Sequence, residues 1–269
     1  MEGVTIEEAI QISCKMPLKK KTEIVSLDDS INRILAYDIV SKVNDPRFDN
    51  SSMDGWAVKS EDCKNYGNKL KIIGTNKTGN YKSNTINSGE ACRIMTGASM
   101  PNGADAIVII EDTTIEENMV IINGPARTEY VRKCGENISK GEISLKAGTL
   151  LNSAEISLCA TTGYSELEVI RKPKIAIISN GDELVKPGHA LLNGQIYESN
   201  SFGLAALVKK IGCEPIRLGI VQDTIEGLRQ ALNQASKECD AILTSGGVSM
   251  GKWDLVRKIM EEEGEIKFW

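Results

Sequence analysis

The chain has 269 residues, 41% of them hydrophobic, 26% charged and only 4% aromatic, with a formal net charge of −5. That length suggests two domains on a prior of roughly 150 residues each, with enough apolar content to build real cores. The acidic balance argues against a nucleic-acid-binding surface and the scarcity of aromatic rings against base-stacking platforms, while no apolar run reaches the roughly 18 residues of a membrane span.

Thr5-Ile6-Glu7-Glu8 has the form of a capping box and predicts a helix that Pro17 ends. The same acidic start lacks the charged and apolar regions of a signal peptide, which leaves the cytoplasm as the default location. Residues 22–27 and 34–43 read as strands, the second a long one. Residues 45–57 are polar and turn-prone, so no regular element is expected there. From 70 to 123 short strands alternate with Gly, Asn and Pro, among them 106–110 and 119–122, which predicts a small, mostly β domain. Residues 153–162 then read as a helix and 167–170 as a strand.

The architecture changes near Lys172-Pro173. Residues 174–179, with Ile175, Ile177 and Ile178, read as a strand followed by Asn180-Gly181-Asp182-Glu183-Leu184. Residues 199–211 read as a helix stopped by Gly212, 215–221 as a strand followed by Gln222-Asp223, and 224–238 as a helix with Ile225, Leu228 and Leu232 at helical spacing. A strand over 241–243, a further helix and a fourth strand over 265–269 complete the alternation. The fold class is therefore α/β: a doubly wound, mostly parallel sheet over 173–269. It is preceded by a helix and strand linker domain, 1–44 with 140–172, that carries the mostly β domain, 45–139, as an insertion.

Open α/β sheets bind ligands beyond the carboxyl ends of their strands, so Glu183, Asp223 and the Gly246-Gly247 turn are expected to face one crevice. The stretch from Ser245 to Asp254 is a strand end, a glycine-rich turn and a helix start. Glycines let backbone N–H groups approach a ligand, and the helix N-terminus adds partial positive charge, which suits a phosphate or another oxyanion. It is neither a P-loop nor a dinucleotide fingerprint. Carboxylates beside it suit a hard cation such as Mg²⁺, which prefers oxygen ligands and keeps several waters. The plainer alternative is that Asp182 and Asp223 cap turns or helices, Asp223 standing just before Thr224.

The seven cysteines, Cys14, Cys63, Cys92, Cys134, Cys159, Cys213 and Cys239, are scattered without a Cys-x-x-Cys pair and fit reduced thiols. His189, the single histidine, follows Pro187-Gly188 in a loop, so triads and His-rich metal sites are poor hypotheses.

Five stretches in order carry a resemblance: residues 48–57 (Phe-Asp-Asn-Ser-Ser-Met-Asp-Gly-Trp-Ala), Arg93-Ile94-Met95-Thr96-Gly97-Ala98, Arg132 with Gly135-Glu136-Asn137-Ile138, Gly181-Asp182-Glu183-Leu184, and Ser245-Gly246-Gly247-Val248-Ser249. Together they resemble the signatures of the molybdopterin molybdenumtransferase family, the MoeA family, which includes the E domain of gephyrin. The resemblance covers essentially the whole chain. It implies an enzyme of molybdenum cofactor biosynthesis that takes adenylylated molybdopterin and molybdate as substrates, inserts the metal at the dithiolene and releases AMP, with Mg²⁺ assisting.

The resemblance further implies an elongated homodimer whose site is shared between subunits, and contact with other molybdenum cofactor biosynthesis proteins. Glu183 and Asp223 would hold the metal at the phosphate end. Ser245, Gly246, Gly247 and Ser249 would cradle the pterin or phosphate, with Asp254 nearby, while Asp54, Thr96, Arg132 and Asn137 would complete the site from the other subunit. Asp54, Glu183 and Asp223 are thus the catalytic candidates, to hold the cation or relay protons.

Two departures from the family pattern stand out. Asn137 occupies a position usually held by aspartate, which keeps an acceptor and loses the charge. The sequence also stops at Phe268-Trp269, where the family continues into a Lys- and Pro-Gly-rich loop and a C-terminal β domain, so the α/β domain is expected to be incomplete at its C-terminal end. That favours an alternative of a non-catalytic molybdopterin-binding or scaffold module. A related enzyme that adenylylates molybdopterin is a third reading, against which the long region around Met53-Asp54-Gly55 argues.

Overall fold

The computed structural model describes residues 3–16, 20–79, 84–246 and 255–268. The chain divides into two compact units, Met1–Glu23 with Ile170–Trp269, and Ile24–Val169. The first element is α1 (Ile6–Cys14), and the expected capping box is present: the Thr5 hydroxyl accepts the Glu8 N–H at 3.2 Å and the Glu8 carboxylate accepts the Thr5 N–H at 2.8 Å. The helix ends at Cys14, and Pro17 lies outside the described residues.

There follow β1 (Thr22–Ser26), β2 (Ile39–Val40), β3 (Asn50–Ser51), β4 (Gly55–Val58), β5 (Lys69–Asn76), β6 (Glu90–Ile94), β7 (Ala106–Ile109), β8 (Thr113–Glu116), β9 (Met119–Ile122), β10 (Val131–Arg132), β11 (Ile143–Leu145), α2 (Ser153–Thr161) and β12 (Glu166–Ile170). Six of these strands form one sheet in the order β7-β4-β6-β5-β9-β8, antiparallel except for the β5–β6 pair. Successive side chains of β4 point to opposite faces. Trp56 and Val58 pack with Leu70, Val108, Val120 and Ile122, and Ala57 with Ile86, Cys92 and Ile94.

Two strand expectations need correction in this unit. Residues 45–57 do hold regular structure, since β3 and most of β4 lie there and every residue of β4 is buried. A strand covered on both faces shows no alternation to read. Gly55 is required in it, because a Cβ there would collide with the Val108 carbonyl of the neighbouring β7. The expected long strand over 34–43 is instead broken into isolated bridges at Ile34 and Leu35 and the short β2. The Asp38 carboxylate accepts the Ala147 N–H at 2.7 Å and the Lys146 ammonium at 3.2 Å, which turns the chain so that Leu35 and Ile39 both reach a core with Leu151, Cys159, Leu167 and Val169.

The α/β unit contains β13 (Lys174–Asn180), β14 (Leu184–Val185), β15 (Ile196–Tyr197), α3 (Asn200–Lys210), β16 (Glu214–Val221), α4 (Ile225–Glu238), β17 (Ala241–Ser245) and α5 (Leu255–Glu263). Its sheet has the order β16-β13-β17 with every pair parallel, as the alternation predicts. The chain leaves the central β13 through α3 for one edge and crosses back through α4 to the other. That reversal of direction is the topological switch at which such sheets bind ligands. Thr224 caps α4 by accepting the Gly227 N–H at 3.1 Å, and Leu228, Leu232 and Ala235 then bury against Ala176, Ile178, Val256 and Ile259.

The short parallel pair of β14 and β15 has no periodic signal and is not among the sequence expectations. The fourth strand over 265–269 is a correction: residues 265–268 have no strand pairing, and an extended segment is a strand only when its backbone groups meet a partner. Residue 269 lies outside the described set.

Candidate functional site

The parallel register aligns the strand ends, Asn180 with Val221 and Ser179 with Ser245. Asn180 is buried, and its Nδ2 donates to Asp223 Oδ1 at 3.2 Å. The Asp223 N–H in turn faces Asp182 Oδ1 at 3.5 Å. At the end of β17, Ser245 Oγ accepts Asn200 Nδ2 at 2.7 Å, which ties that strand to the start of α3. Gly246 has a φ of +102° and lies so close to β13 that a Cβ would strike the Asn180 carbonyl oxygen. Only glycine meets both conditions.

Among the expected residues of this unit, Asp223, Ser245 and Gly246 therefore converge around the end of β13. Glu183 follows in the loop after β13, exposed, with its carboxylate folded back over Gly181, where a Cβ would meet Glu183 Oε2 at 2.6 Å. Gly247, Ser249 and Asp254 lie outside the described residues. No cluster of three or more His, Cys, Asp and Glu suited to a metal ion occurs among the described residues. What the strand ends offer is exposed carboxylate oxygen at Asp182, Glu183 and Asp223, and such oxygens match a hydrated Mg²⁺ that takes one or two protein ligands and completes its shell with water and phosphate.

A second set of residues, joining β13, β16 and the start of α3, has no counterpart in the sequence expectations. Glu198 is only 4% exposed, accepts the Ser201 N–H and hydroxyl at 2.7 Å each and the Ser179 hydroxyl at 3.1 Å, and lies 3.7 Å from the Arg217 guanidinium. Burial pushes its carboxyl up, but the Ser201 and Ser179 bonds and Arg217 outweigh this and hold it below the usual carboxylate range. Arg217 also donates to Ser201 Oγ at 2.8 Å and covers the Phe202 ring at 3.5 Å. Lys186, Glu198, Phe202, Arg217, Gly219 and Ile220 line a cavity of about 520 Å³ beside β16. The available signal was the acid three residues before Ser201 in the first turn of α3.

In the other unit, Asp54 and Thr96 meet directly. Asp54 Oδ1 accepts the Thr96 N–H at 2.7 Å and the Thr96 hydroxyl at 2.9 Å. The N–H first, then the hydroxyl, hold the exposed Asp54 carboxyl below its usual range, with Arg93 adding a smaller effect. Arg132 stands on β10, opposite Asn50 of β3, and its Nε donates to Glu136 at 2.8 Å rather than to Asp54. Asn137 Nδ2 donates to Asp45 Oδ2 at 2.8 Å, so an aspartate at 137 would face a like charge and the asparagine has a local reason. The seven cysteines are all unbridged, and His189 is exposed in its loop.

Comparison with known proteins adds three findings. A family model described as the MoeA N-terminal region (domain I and II) matches residues 4–163, and one described as a probable molybdopterin binding domain matches residues 176–269. The chain is 37% identical over 257 residues to a molybdopterin molybdenumtransferase of Haemophilus influenzae, covering 95% of this chain and 63% of the relative. It is 40% identical over 255 residues to one of a Nostoc species, covering 93% and 58% respectively. The chain thus spans about 60% of the length of these curated relatives. A crystal structure of a molybdopterin biosynthesis MoeA protein from Pyrococcus horikoshii superposes with a TM-score of 0.85 at 34% identity, covering 98% of this chain and 68% of that one.

Proposed function

We propose a function on one premise: this chain belongs to the MoeA family. On that premise it acts in molybdenum cofactor biosynthesis, taking adenylylated molybdopterin and molybdate, transferring molybdenum to the dithiolene and releasing AMP. The observation that carries the reading is the convergence of Asp223, Ser245 and Gly246 on the end of β13, at the switch point of a parallel sheet. Glu183 and Asp223 are the proposed holders of Mg²⁺, Gly246 and Gly247 the proposed cradle, and Ser249 and Asp254 its continuation. Bound Mg²⁺ would offset phosphate charge.

In the same proposal the protein is a cytoplasmic homodimer. Asp54, Thr96, Arg132 and Asn137 of one copy serve the strand-end crevice of the other. The Asp54–Thr96 bond supports a fixed, ionised carboxylate for that role. No helix among the described residues is long and apolar enough to cross a membrane. We also propose a three-part division, 1–44 with 140–172, 45–139 and 173–269, finer than the two compact units and supported by separate buried clusters around Leu35 and Leu151, in the six-stranded sheet and in the α/β part. A second reading, molybdopterin binding without turnover, is favoured by the description of the family model matched over 176–269.

Chromatography of the products formed from adenylylated molybdopterin, Mg²⁺ and molybdate separates these readings. Molybdate-dependent AMP release supports the transferase, and retention of the intact nucleotide supports the binding module. Under the transferase reading Asp54→Ala and Glu183→Ala each abolish AMP release, and a mixture of the two restores up to about a quarter of the parent sites if subunits exchange at random about a two-fold axis. No restoration in mixed dimers of confirmed composition would remove the shared site.

A further inference from the structure

The side chain of Asn180, at the end of β13, poses a specific problem. It is only 4% exposed, its Nδ2 is committed to Asp223, and its Oδ1 has no hydrogen-bond partner among the described residues. Buried acceptors are almost always paired, because leaving one unpaired costs free energy that an apolar residue of the same shape would not. Since Nδ2 faces Asp223, the planar amide presents Oδ1 away from that carboxylate. It points toward Gly246, where a Cβ would lie 3.1 Å from Oδ1. A cation would gather at the carboxylates, whereas an isolated neutral acceptor beside a glycine turn matches a hydrogen-bond donor.

We propose that Asn180 is a positioning and recognition residue, its Nδ2 fixing the Asp223 carboxylate and its Oδ1 accepting a hydrogen bond from an N–H group of a ligand held at the Gly246 turn. The ligand class is a heterocycle with an amino or imino N–H edge, and in the reading above, on which this inference rests, that is the pterin of the substrate. The orphaned oxygen is then satisfied only in the complex, so Asn180 favours the bound state at the expense of the free chain.

The test is a fluorescence titration of the whole chain and its variants with adenylylated molybdopterin, together with thermal melts of the ligand-free proteins. Asn180→Leu removes both bonds and the unpaired oxygen; its Kd is expected to rise about tenfold while its ligand-free Tm stays at or above the parent's. Asn180→Asp keeps the size and an acceptor but sets a second carboxylate beside Asp223, and its Kd is expected to rise at least about fivefold. Parent-like affinity in Asn180→Asp, or in a folded Asn180→Leu, overturns the proposal. A marked fall in the Tm of Asn180→Leu combined with weakened binding by Asn180→Asp still supports it, because the isosteric variant then decides. A parent chain that binds no adenylylated molybdopterin overturns the functional reading and this inference with it.

Discussion

Thr96 donates both its N–H and its hydroxyl to one oxygen of Asp54, and that pair shows what a single residue contributes here. Because the folded-state pKa is depressed, the bonds favour the folded state above the unfolded carboxylate value of about 3.9, and that contribution is lost as pH falls through the lower folded value. Thr96→Val deletes the hydroxyl and keeps the N–H, which is the larger of the two causes. The Asp54 carboxyl is therefore expected to titrate between its value in the parent and about 3.9, as read by carbon NMR. An unchanged titration would mean that the hydroxyl bond is not formed in solution. Local pattern could not reveal this contact, since 42 residues separate its members; only the family signatures put both on the candidate site. The roles of Asn180 and Glu198 are not legible in the sequence for a related reason: burial of a polar side chain is a tertiary property, and an Asn or Glu near a strand or helix end reads as ordinary turn chemistry.

Among the elements, α4 was the most legible and β4 the least. In α4 a capping threonine and apolar residues at helical spacing coincide: of the residues named from the sequence Leu228 and Leu232 bury and Ile225 packs partly buried beside them, while Ala235 buries as well. Leu228 is fully buried between the sheet and α5, so Leu228→Ala is expected to cost about 2–5 kcal/mol in urea unfolding. A loss well under 1 kcal/mol would show that the site refills and that the α4 face is loosely packed. β4 was hidden because both of its faces are covered, and the break between Leu35 and Ile39 because Asp38 is held by residues more than a hundred positions away. Residues 265–268 show the converse, a strand-like composition without a paired strand.

At the scale of the whole molecule, the alternation of elements was enough to predict the parallel sheet, whose topology puts the ends of β13, β16 and β17 together, where such sheets bind ligands. It was not enough to suggest molybdopterin as the ligand, a proposal that rests on family membership. The central claim is that those three strand ends form the nucleotide site. Hydrogen–deuterium exchange of the chain with and without adenylylated molybdopterin and Mg²⁺ tests it most directly. Slowed exchange is predicted at all three ends, residues 179–183, 221–224 and 244–246, whereas a saturated complex with protection at none of them would contradict the account.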